Sequence, residues 1–260
     1  GSGAWLTTAL IEKCMYGAPV LRYTAPKGFE QLPDGERHAI IQEWLELEAA
    51  PLLKALNPEL HSVFGLDFGR SGDLSVLVPG QIQQNLQRRA PFVMELRNMP
   101  HKQQWQIVSF ILSRLPRLVK AAFDARGNGN ALAEFAAQEF GWSRVELVMF
   151  TEAWYRLHMP GVKSAFEDGL MLLPRDKDIL GDLRAIKVIK GVARVPDGRS
   201  TGKDGAQRHG DAGIAVALMH YASMHPGTEM DWTAAPRVSR GFDSDTSDDN
   251  DISIPEPQAW

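Results

Sequence analysis

SVFGLDFGRSGDLSVLV, residues 62–78, carries two short β-prone runs, Ser62 to Phe68 and Leu74 to Val78, separated by the turn-rich Gly69, Arg70, Ser71, Gly72 and Asp73. Apolar runs of this length around a glycine-rich turn predict an antiparallel hairpin. Pro91 to Leu96 supplies a third strand. His101 to Leu115 then puts Trp105, Val108, Ile111, Leu112 and Leu115 on one helical face, and Pro116 ends the helix. Leu118 to Phe123 is a fourth strand terminating at Asp124, residues 129–140 form a helix that carries Leu132, Phe135 and Ala136 inward, and Val145 to Phe150 is a fifth strand. Three early strands followed by helix, strand, helix and strand predict an α/β fold. Its mixed central sheet has three antiparallel strands and then strands parallel to the first, with helices on both faces.

On the N-terminal side, Gly1, Ser2 and Gly3 read as a remnant of tag removal. Residues 4–15 suggest a short helix, a Pro/Gly-rich connection follows through Pro33 and Gly35, and Glu36 to Leu56 fits helical segments with a break at Pro51. Residues 4–60 are therefore expected to be an N-terminal linker or helical elaboration, and 61–226 the catalytic domain. On the C-terminal side, Thr151 to Phe166 predicts a helix interrupted near Pro160 and Gly161. Ala185 to Val195 alternates apolar and basic residues, and Pro196, Asp197 and Gly198 would turn it back as a basic β-hairpin near 185–203. Asp211 to Tyr221 reads as a last amphipathic helix. Residues 227–260 form an acidic tail too poor in apolar residues to fold.

A hydrophobic content of 44% over 260 residues can bury one substantial core. A single cysteine, Cys14, excludes an internal disulfide, and no Cys/His set has zinc spacing, so a metal would be held by oxygens in a reducing compartment. No apolar run approaches the roughly 20 residues that span a bilayer, so no membrane partner is expected. The formal net charge of -4 counts against a nucleic-acid partner. Much of the acidity, however, sits in the tail at Asp243, Asp245, Asp248, Asp249 and Asp251, whereas Arg184 to Arg208 is strongly basic. Within that stretch Lys187, Lys190, Arg194, Arg199, Lys203 and Arg208 are candidate phosphate contacts, against the plainer reading of a solvated charged face.

Three aspartates stand at element boundaries: Asp67 at the end of the first strand, Asp124 at the end of the fourth, and Asp211 at the start of the last helix. If the first and fourth strands are parallel neighbours, Asp67 and Asp124 emerge at the same carboxyl edge, where open α/β folds bind ligands. Each alone could be a turn or cap residue. Together they suit Mg²⁺ or Mn²⁺, which take oxygen ligands and leave positions open for water and phosphate. Two ions about 3.5 to 4 Å apart are expected, with Asp67 bridging, Asp124 on one and Asp211 on the other. His209 could ligate a metal, shuttle a proton or contact phosphate, but a lone histidine at a helix entry is as often a cap or surface residue. Asp73 could be an outer acid near Asp67, or simply close its turn. Asp176, Asp178 and Asp182 read as the N-terminal acidic face of a helix, without chemistry.

The succession of strands and helices resembles the ribonuclease H-like fold. Residues 65–73 (GLDFGRSGD), 122–129 (AFDARGNG) and 208–215 (RHGDAGIA) together resemble the nuclease motifs of phage large terminases, in particular those of Mu-like phages and prophages. The resemblance runs from about Ser62 to Tyr221. It implies a metal-dependent endonuclease that cuts double-stranded viral DNA during genome packaging, with Asp67, Asp124 and Asp211 as catalytic and metal-binding acids. It also implies a hairpin that touches DNA and, as partners, a packaging ATPase domain, a small terminase subunit and a portal, in the cytoplasm of an infected or lysogenic bacterial host. No Gly-x-x-x-x-Gly-Lys-Ser/Thr loop occurs, so no nucleotide is expected in this chain.

Three other readings stay open on the residues. A resolvase- or transposase-type nuclease would share the chemistry. Residues 67–73 also resemble the first phosphate loop of actin-like and sugar-kinase-like phosphotransferases, although no second copy is evident. A DNA-binding or assembly module with a degenerate acidic site is the non-enzymatic alternative.

Overall fold

The computed structural model describes residues 4–69, 74–127, 129–196, 200–202 and 205–224. The expectations for Gly1 to Gly3, Asp73, Arg199, Lys203 and the acidic tail lie outside the described residues. Along the chain, α1 (Thr8–Lys13) is capped by the Thr7 hydroxyl, which accepts from the Leu10 amide at 3.2 Å, and leads into β1 (Met15–Tyr16) and β2 (Val20–Thr24). Helix α2 (Asp34–Trp44) passes through a π-helical turn, Leu45–Ala49, into α3 (Ala50–Lys54). The expected break at Pro51 is thus a change of helical pitch one turn earlier. Pro51 sits in the first turn of α3, where its missing N–H costs nothing.

The hairpin read at residues 62–78 is β3 (Ser62–Asp67) and β4 (Leu74–Ile82), followed by β5 (Arg88–Arg89) and β6 (Val93–Arg97). Then come α4 (His101–Leu112), β7 (Leu118–Asp124), α5 (Gly129–Phe140), β8 (Val145–Val148), α6 (Glu152–Glu167), β9 (Met171–Pro174) and α7 (Lys177–Ala185). Two small hairpins, β10 (Lys187–Ile189) with β11 (Val192–Arg194) and β12 (Ser200–Thr201) with β13 (Gln207–Arg208), precede α8 (Asp211–Met224).

The centre of the sheet runs β6-β4-β3-β7-β8: β4 is antiparallel to β6 and β3, while β7 lies parallel to both β3 and β8. This is the ribonuclease H-like arrangement. At one edge β2 adds in parallel to β6, and the far end of β4 extends through β5 to β9 and β1. Residues 4–60 are therefore not a tether or a purely helical elaboration: they contribute two strands, and Trp5, Leu6, Ile11, Cys14 and Met15 are buried.

Side-chain alternation along β3 divides the core. Phe64 and Leu66 pack with α2, α3, α4 and α5, whereas Val63 belongs with α1, α6, α7 and α8. Gly65 lies on the second face, where a Cβ would run into the Ala215 carbonyl and the Met219 amide of α8. A side chain at 65 would push the helix off the sheet.

Three sequence expectations are corrected. Helix α8 is not amphipathic: every residue from Asp211 to His220 is buried, because α8 lies between the sheet and α6 and α7. Helix α6 continues through Pro160 without interruption, packed against α8, with Gly161 against the His220 ring. The basic hairpin of β10 and β11 turns at Lys190 and Gly191, while the turn expected at 196–198 lies largely outside the described residues. Both residues have positive φ, 50° and 77°, the primed two-residue turn that matches strand twist. Among the described residues, no helix is long and apolar enough to cross a membrane.

Candidate active site

Parallel pairing of β3 and β7 sets the site. Leu66 is opposite Phe123, so the next residues, Asp67 and Asp124, end the two strands side by side. Alternation puts Asp67 on the face of Val63 and Gly65, and Asp124 on the face of Ala122, the side covered by α8. Because Gly65 lets α8 lie close, the first residue of that helix, Asp211, reaches the same edge. Asp67, Asp124 and Asp211 line one cleft of about 500 Å³ together with Phe68, Gly69, Arg126, Tyr155, Val195, Pro196, His209 and Ile214.

All three carboxylates are buried. Burial, and then the charges of Asp211 and Asp124, push the Asp67 carboxyl well above the ordinary carboxylate range. Burial also raises Asp211, against the His209 amide, which donates to its Oδ2 at 2.9 Å. Asp124 accepts from Arg126: the backbone amide reaches Oδ1 at 3.0 Å, Nε reaches Oδ1 at 2.9 Å and Oδ2 at 3.1 Å, and Nη2 reaches Oδ2 at 2.7 Å. Among the described residues, no three His, Cys, Asp or Glu side chains are gathered closely enough to hold an ion. The three acids thus share a cleft without forming a closed ligand set among the described residues, and both Asp124 oxygens are turned to Arg126.

The backbone around each acid is held from behind. After Asp67, the Gly69 amide donates to Ser75 Oγ at 2.9 Å, and Ser75 donates to Gln104 Oε1 at 2.8 Å. After Asp124, α5 starts so close that a Cβ on Gly129 would collide with the Asp124 carbonyl. Before Asp211, Gly210 has φ of 76°, and a Cβ there would lie 2.6 Å from Val195. Only glycine meets both demands.

Arg208 corrects the sequence reading most sharply. Expected on a DNA-facing surface, it is buried, and its Nη2 donates to Glu95 Oε1 and Asp182 Oδ2, each at 2.7 Å. Asp182 accepts also from the Ala212 amide at 2.9 Å, so it fixes the start of α8. Asp182 is therefore not part of a solvated acidic face at the start of α7, where Asp176 caps by accepting from the amides of Asp178 and Ile179 at 2.8 and 3.1 Å. Lys187 and Lys190 are exposed on the hairpin and Arg194 is half-buried. The segment leaving β11 brings Val195 and Pro196 to the cleft. His209 lines it too. Sequence reasoning misses Arg126 and Tyr155. A basic residue two positions after a strand-end acid is a legible signal for the first, whereas Tyr155 lies in α6 with nothing local to mark it.

No protein-family model matches the chain. It is 43% identical over 265 residues to the probable terminase large subunit gp28 of Escherichia phage Mu, across 99% of the chain. Over nearly its whole length the chain is thus similar to a part of that large terminase subunit. Mu-like prophage FluMu protein gp28 of Haemophilus influenzae is 39% identical over 250 residues, across 95% of the chain. The chain spans about half the length of these curated relatives, 48% and 49%. Among solved structures, the HK97 bacteriophage large terminase superposes with a TM-score of 0.51 at 12% identity, covering 85% of the chain and 43% of that protein. That likeness shows a shared fold.

Proposed function

We propose that this chain is the nuclease portion of a phage large terminase: a metal-dependent endonuclease that cuts double-stranded DNA during genome packaging. The observation that carries the reading is the convergence of Asp67, Asp124 and Asp211, from two parallel strand ends and a facing helix start, on one cleft. Gathering like charges out of water is unfavourable unless cations join them. The donor set fits hard divalent ions, since it is made of carboxylate oxygens with open cleft in front.

On this reading Asp67, Asp124 and Asp211 would together hold two Mg²⁺ or Mn²⁺ ions. Such ions supply Lewis acidity for water attack and for the departing 3′ oxygen. The chain's own contribution is placement. The β3 and β7 register aligns two acids, Asp182 and Arg208 fix the third, and the His209 amide orients Asp211. His209 itself stands where it could meet phosphate or a proton. Lys187 and Lys190, with Arg194 behind them, would meet the DNA backbone beside the cleft. A packaging ATPase, a small terminase subunit, a portal and the cytoplasm of the bacterial host are the setting this function requires, and no nucleotide is needed in this chain.

The direct test is supercoiled plasmid incubated with the chain and Mg²⁺ or Mn²⁺. Nicking and linearisation that disappear with chelator and with Asp67→Ala support the proposal. Intact plasmid under both metals, with DNA binding retained, would leave a binding module instead.

A further inference from the structure

Among the described residues that line the cleft, Arg126 supplies the one guanidinium, and it is held in a way that Arg208 is not. Arg208 is buried between two carboxylates; the Arg126 side chain is 47% exposed, while that of its partner Asp124 is 6% exposed. Its guanidinium grips both Asp124 oxygens and also lies over the Phe150 ring, 4.8 Å from the ring centroid. Those oxygens are the ones a cation would need. A guanidinium stays charged at any working pH, so it yields to a cation only by moving. Movement is open to it, because nearly half of its side chain faces solvent at the cleft. A planar two-pronged donor there matches phosphate.

We propose that Arg126 competes with divalent cations for Asp124 and, once displaced, binds the DNA phosphate backbone at the cleft rim. The inference rests on the metal-dependent reading above. Arg126 then links two events: without cations it neutralises part of the acid cluster, and with cations bound it is freed to hold substrate. The Arg126 amide keeps its bond to Asp124 Oδ1 throughout, so the carboxylate stays oriented while Oδ2 changes partner.

The test is calorimetric titration of Mn²⁺ alone into the chain and its variants, with plasmid cleavage measured alongside. Arg126→Gln should bind Mn²⁺ about tenfold more tightly, the scale of a lost charge-assisted hydrogen bond, while cleavage at saturating Mn²⁺ falls at least about tenfold. Arg126→Lys, which keeps the charge without the fork, should show a smaller tightening. Mn²⁺ affinity that needs Asp67 but is unchanged or weaker in Arg126→Gln would overturn this inference alone. Absence of Mn²⁺ binding, or binding indifferent to Asp67→Ala, would overturn the metal reading along with it.

Discussion

Arg208 donates from Nε and Nη2 to both carboxylate oxygens of Asp182, at 3.1 and 2.7 Å, and Asp182 in turn accepts from the amide that follows Asp211. Burial works against the charge on this arginine, but Asp182 and Glu95 outweigh it and hold the guanidinium more firmly protonated than usual. Removing one member of such a group leaves buried charge without compensation. Arg208→Met should therefore lower stability by about 3 to 5 kcal/mol, read as a shift in urea midpoint. The salt slope of DNA binding should not change; a slope smaller by the share of a single phosphate would restore Arg208 to the DNA surface.

Gly65→Ala should be among the most damaging conservative changes. The added methyl would enter the backbone of α8 at Ala215 and Met219, and neither sheet nor helix can move without exposing core. A loss above about 3 kcal/mol is expected, visible in thermal unfolding. A variant that melts like the parent would mean α8 is not seated closely on β3.

Asp67 gives the pH dependence. Its folded pKa is raised by burial and by Asp211 and Asp124, so its contribution to stability is full below the unfolded value, 3.8, and is lost as pH rises through the folded value. In chelator at neutral pH, Asp67→Asn should thus melt higher than the parent. Each kcal/mol recovered corresponds to roughly 2 to 4 °C in a chain of this size. The difference should vanish near pH 3, and an Asn variant less stable at neutral pH would contradict the assigned repulsion.

Lys187, Lys190 and Arg194 on the β10 and β11 hairpin test the DNA surface. Replacing all three by Ala should weaken duplex binding and flatten its salt dependence by as much as about 0.9 for each phosphate these side chains neutralise. Fluorescence anisotropy across a salt series reads this directly, and an unaltered slope would remove the hairpin from the interface.

The parts of the fold legible in the sequence are those with local signals. β3 and β7 announce themselves as β-prone runs closed by Asp67 and Asp124, and α4 and α5 by their period. β1, β5 and β9 do not, since two to four residues paired across the chain, Met15 with Leu173 and Arg88 with Met171, leave no periodicity to read. The same distance hides Arg208. Within a basic run it looks solvated, and its partners, Asp182 and Glu95, lie 26 and 113 residues away. Helix α8 looks amphipathic from the spacing of Ala212, Ala215, Val216, Leu218 and Met219, yet every residue from Asp211 to His220 is buried. The three cleft acids are legible from position alone. The Arg126 grip on Asp124 is not, because local sequence does not say whether an arginine turns to solvent or back to its neighbour.

Anomalous diffraction from crystals of the chain grown or soaked in MnCl₂ tests the central claim most directly. The account predicts Mn²⁺ peaks in the cleft touching Asp67 and Asp211, with the Arg126 guanidinium withdrawn from Asp124 so that Asp124 Oδ2 completes the set. A cleft without anomalous density at saturating Mn²⁺, Asp124 still paired with Arg126, would contradict it.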